Sequence, residues 1–196
     1  MGKFSDLCEK YGCDKESVHR YGDAYDALFR GFDAVWPLHI LEIGIYKGSS
    51  LHVLKDYFPH AKIWAIDIDP AAVALAPQGV TTVCGDQCDI SLLTRLAEEA
   101  NGFSIIIDDG SHRIDHQQIS LSALWPHVRV SGVYVIEDLE TSKSSRTRKW
   151  NPRGLQSTLD MLLDKAKSNV HWGKNSSKPP IISFYREMCA LTKMEK

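Results

Sequence analysis

Five short apolar runs, each ending at an acid or a glycine turn, recur along this chain with helix-patterned segments between them. They are His39-Ile-Leu-Glu-Ile-Gly44, Lys62-Ile-Trp-Ala-Ile-Asp67, Val80-Thr-Thr-Val-Cys84, Phe103-Ser-Ile-Ile-Ile-Asp108 and Gly132-Val-Tyr-Val-Ile-Glu137. A run with no polar alternation is a strand covered on both faces, and a helix between successive strands makes them parallel. The connecting helices are predicted from Ser49 or Ser50, either of which can cap, to Phe58, then over Ala71 to Leu75, Ile90 to Glu99 and His116 to Trp125. Ahead of the first strand, Phe4 to Tyr11 and His19 to Trp36 read as helical, and Pro37 ends that pattern. After the fifth strand come a helix near Leu155 to Ala166 and two closely spaced apolar segments, Ile181 to Tyr185 and Met188 to Thr192. So short a link excludes a helical crossover, so these last two pair as an antiparallel hairpin. The expected fold class is α/β, a Rossmann-like sheet with helices on both faces. The 196 residues suit a single domain over 1–196, with 1–36 as a helical cover.

In a doubly wound sheet, ligands sit beyond the carboxyl ends of the strands. The unusual residues of this chain gather there: Glu42-x-Gly44-x-x-x-Gly48, Asp67-x-Asp69-Pro70, Gly85-Asp86-Gln87-x-Asp89, Asp108-Asp109-Gly-Ser-His112 and Glu137-Asp138. Gly44 and Gly48 allow a tight turn and close backbone approach, and the following helix presents free N–H groups. Asp67 stands where an acid accepts hydrogen bonds from ribose hydroxyls. These features fit a dinucleotide or S-adenosylmethionine equally. Two others favour the second: the first turn lacks the full GxGxxG spacing, and the closing hairpin is typical of methyltransferases.

A second constellation carries chemistry. Asp109, Glu137 and Asp138, from adjacent strand ends, supply three hard oxygen ligands suited to Mg²⁺ or a similar divalent ion. His112 follows Asp109 by one turn of chain and can act as general base on a metal-bound hydroxyl. His116 could extend this to a two-histidine site, but the oxygen-rich surroundings favour a supporting role. The alternative for the whole cluster is helix-capping acids and a packed histidine.

Composition narrows the partners. A formal net charge of -2 argues against nucleic acid, which selects a basic excess, and no apolar stretch reaches membrane-span length. Five cysteines, an odd number, with no apolar leader in the opening residues, fit a reduced cytoplasmic setting. The pairs Cys8/Cys13 and Cys84/Cys88 lack CxxC spacing, and Cys84 closes a strand expected to be buried, so both pairs read as core residues. The run from Lys143 to Arg153 carries five basic residues and no acid. It makes 139–153 a candidate mobile substrate loop, with Trp150 able to stack on a ring.

The motifs Tyr11-Gly-Cys-Asp-Lys15, His19-Arg-Tyr21, LEIGIYKGSS, IDIDP, GDQCD, IIIDDGSH and GVYVIEDLETS together resemble the metal-dependent sugar O-methyltransferases of macrolide biosynthesis, the mycinamicin and demethylmacrocin group, with cephalosporin hydroxylase-like proteins as relatives. The resemblance implies a seven-stranded sheet of order 3-2-1-4-5-7-6 with an antiparallel last hairpin. It matches Asp109, Glu137 and Asp138 to magnesium ligands, His112 to the general base, and Glu42, Gly44, Asp67, Asp86 and Gln87 to cofactor contacts. With the rest of the glycine motif and the first acid of strand four, the expected cofactor-binding set is Glu42, Gly44, Lys47, Gly48, Ser50, Asp67, Asp86, Gln87 and Asp108. The implied reaction is methyl transfer from S-adenosylmethionine to a hydroxyl of a sugar or other glycosylated small molecule, leaving S-adenosylhomocysteine. A catechol-type enzyme acting on an aromatic diol and a non-catalytic S-adenosylmethionine-binding module are the rivals. Larger members of the group carry a further N-terminal domain, and assembly as a homo-oligomer is compatible with the pattern.

Overall fold

The computed structural model describes residues 2–32, 37–142, 149–168 and 178–194. Its strands are β1 (His39–Ile43), β2 (Lys62–Asp67), β3 (Thr81–Cys84), β4 (Phe103–Asp108), β5 (Val128–Ile136), β6 (Ile181–Tyr185) and β7 (Met188–Thr192). They follow the order β3-β2-β1-β4-β5-β7-β6, as expected, and β7 runs antiparallel to both β5 and β6. The chain divides into two compact units, Met1–Asp86 and Gln87–Lys196. Among the described residues no helix is long and apolar enough to cross a membrane.

In the first unit β1 pairs in parallel with β2, and β2 with β3. Every residue of β1 is buried. The N-terminal region forms three helices, α1 (Lys3–Tyr11), α2 (Asp14–Ser17) and α3 (Gly22–Phe29). An aromatic cluster fastens them to α4 (Ser49–Tyr57): Phe4 stacks on Tyr25 with centroids 4.5 Å apart, Phe29 meets Phe58 at 5.1 Å and Phe4 meets Tyr57 at 5.9 Å. The Tyr57 hydroxyl donates to Asp26 Oδ1 at 2.9 Å, and that carboxylate also accepts from Phe4 N–H at 3.1 Å. The single helix expected from His19 is shorter. Arg20 takes a left-handed φ of 55°, so the helix begins after it, and the chain leaves the helix at Arg30 with ψ 122°. Residues 33–36 lie outside the described part. The expected serine cap of α4 is also corrected: Gly48 holds the N-cap position at φ 74°, with no side-chain cap.

The first unit closes with α5 (Pro70–Val73), capped by Asp69 accepting from Ala71 N–H at 2.8 Å. Cys84, expected in a buried strand, is exposed, because β3 forms an edge of the sheet and is covered less than a central strand.

In the second unit β4 is buried along its whole length and pairs in parallel with β5. Between them lies α7 (Ile114–Leu124), with α6 (Ile90–Glu99) preceding β4. The last helix, α8 (Thr158–Ser168), starts later than the apolar pattern suggested. Asn151 folds back on Leu155, accepting its N–H at 2.8 Å, and Ser157 Oγ accepts from Asp160 N–H at 3.1 Å as a helix cap. Hairpin β6–β7 turns at Arg186, where φ is 50°.

Candidate active site

The first unit organises the glycine turn around Asp67. Its Oδ2 accepts the N–H groups of Ile45 at 2.7 Å and Tyr46 at 3.2 Å, and its Oδ1 accepts that of Asp69 at 2.9 Å. One carboxylate at the end of β2 thereby fixes the loop leaving β1. Gly44 sits at φ 94°. At Gly48, with φ 74°, an added Cβ would lie 2.7 Å from the Leu75 carbonyl oxygen, so only glycine satisfies both backbone and space. Lys47 is exposed, its Nζ 5.0 Å from the Tyr46 ring centroid. Ser50 lies in the first turn of α4, and Asp86 is exposed after β3.

Glu42, two residues before Gly44, is 0% exposed and stands 3.6 Å from Lys15 Nζ, itself 2% exposed. This buried pair was not assigned from the sequence. The Tyr11-Gly-Cys-Asp-Lys15 motif was its only signal, since nothing in the spacing tells that a short polar helix will turn its lysine inward.

The second unit brings the other acids together. Glu137 N–H donates to the Asp108 carbonyl at 3.0 Å, which sets the ends of β4 and β5 side by side. Ligand atoms of Asp109, His112 and Asp138 lie within 4.8 Å of one another, each residue half-buried. His112 Nε2 is 3.6 Å from Asp138 Oδ2, while its buried Nδ1 has no hydrogen-bond partner among the described residues. Both residues have left-handed backbones, φ 56° and 55°, a conformation that persists where surrounding contacts over-determine it. At Asp138 those contacts are visible: its carbonyl accepts from Thr141 N–H and Oγ1, each at 3.2 Å, and Leu139 N–H donates to the Glu187 carbonyl at 2.7 Å. Glu137 is buried and its carboxylate does not join the trio. Its carbonyl accepts from Gln117 Nε2 at 3.2 Å.

Asp108, one residue before the trio, is buried. Its Oδ2 accepts from the hydroxyls of Ser120 and Tyr134, and its Oδ1 from Gln87 Nε2 at 3.2 Å. Burial pushes its carboxyl up to about 6, against the downward pull of the Ser120 and Tyr134 hydroxyls, the nearby His112 and Gln87. His116 hydrogen-bonds through Nδ1 with Ser111 Oγ at 2.8 Å.

Asp115, fully buried in the first turn of α7, pairs with Arg113 Nη2 at 2.8 Å and with Arg153 Nε at 3.1 Å. Burial raises its carboxyl, but the Arg113 hydrogen bonds and the charges of Arg113, His116 and Arg153 more than offset that and hold it low. Arg153 thus ties the far end of the basic segment to α7. Residues 143–148 of that segment lie outside the described part, while Leu139–Ser142 form a 3-10 turn.

No family model matches the chain. Several curated O-methyltransferases are similar in sequence, two of them at 42% identity. Demethylmacrocin O-methyltransferase of Streptomyces fradiae is 42% identical over 143 residues, 69% of this chain and 35% of that protein. The 8-demethyl-8-(2-methoxy-alpha-L-rhamnosyl)-tetracenomycin-C 3'-O-methyltransferase of Streptomyces olivaceus is 42% identical over 149 residues, 72% of this chain and 38% of that protein. The chain therefore matches little more than a third of the length of either relative. Among solved structures, the MycE methyltransferase of the mycinamycin pathway, in complex with Mg, SAH and mycinamycin VI, superimposes with a TM-score of 0.85 at 30% identity, covering 99% of this chain and 55% of that one. In strand order, sequence and superposition, the chain carries a class I methyltransferase fold similar to that of the macrolide and tetracenomycin sugar O-methyltransferases.

Proposed function

We propose that this chain works as one methyltransferase domain that moves a methyl group from S-adenosylmethionine to a hydroxyl of a sugar-bearing small molecule, with the help of Mg²⁺ or a similar divalent ion. The observation that carries this reading is the convergence of Asp109, His112 and Asp138 beyond the ends of β4 and β5. Similarity to sugar O-methyltransferases supports the acceptor class, and the five free thiols suit a cytoplasmic setting.

The residues fit both groups. Two carboxylates, Asp109 and Asp138, are hard oxygen donors of the kind such an ion selects, while Glu137, the third acid of the expected set, is buried outside that group. For the cofactor, the cradle is the Gly44 to Gly48 turn, where a Cβ at Gly48 has no room. Lys47, Ser50 and Asp86 are the accessible members of the cofactor set, Asp67 shapes the turn, and Glu42 is buried against Lys15.

When bound, the ion would lower the pKa of an acceptor hydroxyl and hold it in place. His112 then takes the proton at Nε2, the nitrogen that faces the Asp138 carboxylate. S-adenosylmethionine, when bound, would supply the methyl group, its carbon–sulfur bonding pair leaving on sulfur as the deprotonated oxygen bonds to the carbon, with S-adenosylhomocysteine as product. Asp109 and Asp138 would hold the ion, and Asp67 keeps the glycine turn in its shape. Positioning of this kind is worth several kcal/mol of barrier.

The deciding experiment measures S-adenosylhomocysteine binding by calorimetry, then methyl transfer to panels of glycosylated macrolides and of catechols. Binding with turnover on the sugar panel is expected. Turnover confined to catechols would replace the acceptor class, and binding without turnover on either panel, with no uptake of Mg²⁺, would leave a non-catalytic binding module.

A further inference from the structure

We propose that Gln87 is a positioning residue for the metal loop: its side-chain amide braces Ser111, between Asp109 and His112, against the buried carboxylate of Asp108. This rests on the reading that Asp109 and Asp138 hold a divalent ion beside His112, and assigns Gln87 a role beyond the cofactor contact that its place in the GDQCD motif suggests.

The geometry is specific to an amide. Gln87 is 6% exposed. Its Nε2 donates to Asp108 Oδ1 at 3.2 Å, and its Oε1 accepts the Ser111 N–H at 2.8 Å. A glutamate here would turn an acid toward Asp108, and a leucine would offer neither group. Asp108 is a fixed anchor because α7 and β5 both grip it, through the Ser120 and Tyr134 hydroxyls. Gln87 carries that rigidity one step outward. Residues 109–113 have no regular secondary structure, and His112 stands at φ 56°, so the loop keeps its shape only if neighbouring contacts impose it. Three contacts flank His112: the Gln87 brace on Ser111 N–H, the Ser111 Oγ hydrogen bond to His116 Nδ1 at 2.8 Å, and the Arg113 N–H donated to Ser111 Oγ at 3.4 Å. Groups that orient metal ligands in this way change metal affinity by about 10- to 100-fold when removed.

The test titrates Mn²⁺ into the full chain without cofactor and follows the free ion by electron paramagnetic resonance, for the native sequence and for Gln87→Leu. A cooperative thermal melt followed by circular dichroism, close to that of the native chain, shows that the variant is folded. Mn²⁺ affinity of the variant is expected to fall about tenfold or more. In the native chain the Ser111 amide should also exchange its hydrogen slowly, although it lies in a loop. Equal Mn²⁺ affinity in the two proteins overturns the brace while leaving the metal site standing. No Mn²⁺ uptake by the native chain removes the metal reading itself, and the brace with it. Should Gln87→Leu fail to fold, the exchange measurement decides: a Ser111 amide that exchanges at its unprotected rate overturns the proposal.

Discussion

His112 Nε2 stands 3.6 Å from Asp138 Oδ2, and both residues reach that position through left-handed backbone, at φ 56° and 55°. Such conformations are uncommon for residues with a side chain. Finding two of them facing each other at neighbouring strand ends marks the place where the fold gives up local comfort to aim side chains. Nothing in the apolar core requires this pairing.

Removal of the metal should abolish methyl transfer. Activity in excess EDTA is expected to fall at least about a hundredfold, equivalent to several kcal/mol of transition-state stabilisation, and to return on adding Mg²⁺. Asp138→Asn should show the same loss without rescue at ordinary Mg²⁺ concentrations. Full turnover in chelator would exclude a metal-assisted step.

Substitution of His112 by alanine should lower turnover by about 10² to 10⁴, the usual contribution of a positioned general base. Mn²⁺ binding by His112→Ala separates two roles for the same ring. Retained affinity with lost turnover is the expected result, and a parallel loss of both would make His112 a ligand instead.

Gly48→Ala should destabilise the fold by about 1–3 kcal/mol, because φ 74° and the Leu75 carbonyl 2.7 Å from the new Cβ act together. A thermal melt measures this directly. S-adenosylhomocysteine affinity should fall in the same variant, since the turn cannot keep its shape.

Breaking the Lys15–Glu42 pair should be among the most damaging single changes in the first unit. Both partners are buried and 3.6 Å apart, so Lys15→Met removes a buried positive charge from beside the Glu42 carboxylate, and breaking such a pair typically costs about 3–5 kcal/mol. Denaturant unfolding of Lys15→Met and of the double variant Lys15→Met, Glu42→Gln tests it. The second substitution should recover part of the loss, and a Lys15→Met midpoint equal to that of the native chain would show that the pair carries no weight.

Thiol chemistry should divide the cysteines by place in the sheet. Burial pushes the Cys189 thiol on β7 up to about 12, so at pH 8 only about one molecule in 10⁴ carries the thiolate that reacts. Raising pH toward 12 increases that fraction about tenfold per unit, and lowering it decreases the fraction by the same factor. Cys84, exposed at the end of β3, should be alkylated by iodoacetamide in the native protein while Cys189 is spared until the chain unfolds.

Strand positions were legible because each strand is written as a short apolar run, unbroken and buried along its length in the central β4. Lys62–Asp67, Phe103–Asp108, Ile181–Tyr185 and Met188–Thr192 fall where those runs predict. Helix limits were less legible, since they depend on local backbone choices that composition does not reveal. The N-terminal helix begins after Arg20 turns left-handed, and the helix after Gly48 takes a glycine at its N-cap although two serines follow.

What the sequence determined by itself is the strands and the set of acids and glycines at their ends, because apolar runs and turn residues act through near neighbours; the order of the strands came from the resemblance to the sugar O-methyltransferases and is the order observed. Which of those acids meet was decided by tertiary structure alone. Asp109 and Asp138 converge with His112 because the Glu137 amide binds the Asp108 carbonyl and sets two strand ends level. Lys15 finds Glu42 because an aromatic cluster draws the N-terminal helices onto α4. The Gly44 to Gly48 turn, so plain in the sequence, is held by Asp67 from the next strand. Each of these contacts joins residues distant in the chain, and a burial pattern read along one strand carries no term for the strand beside it.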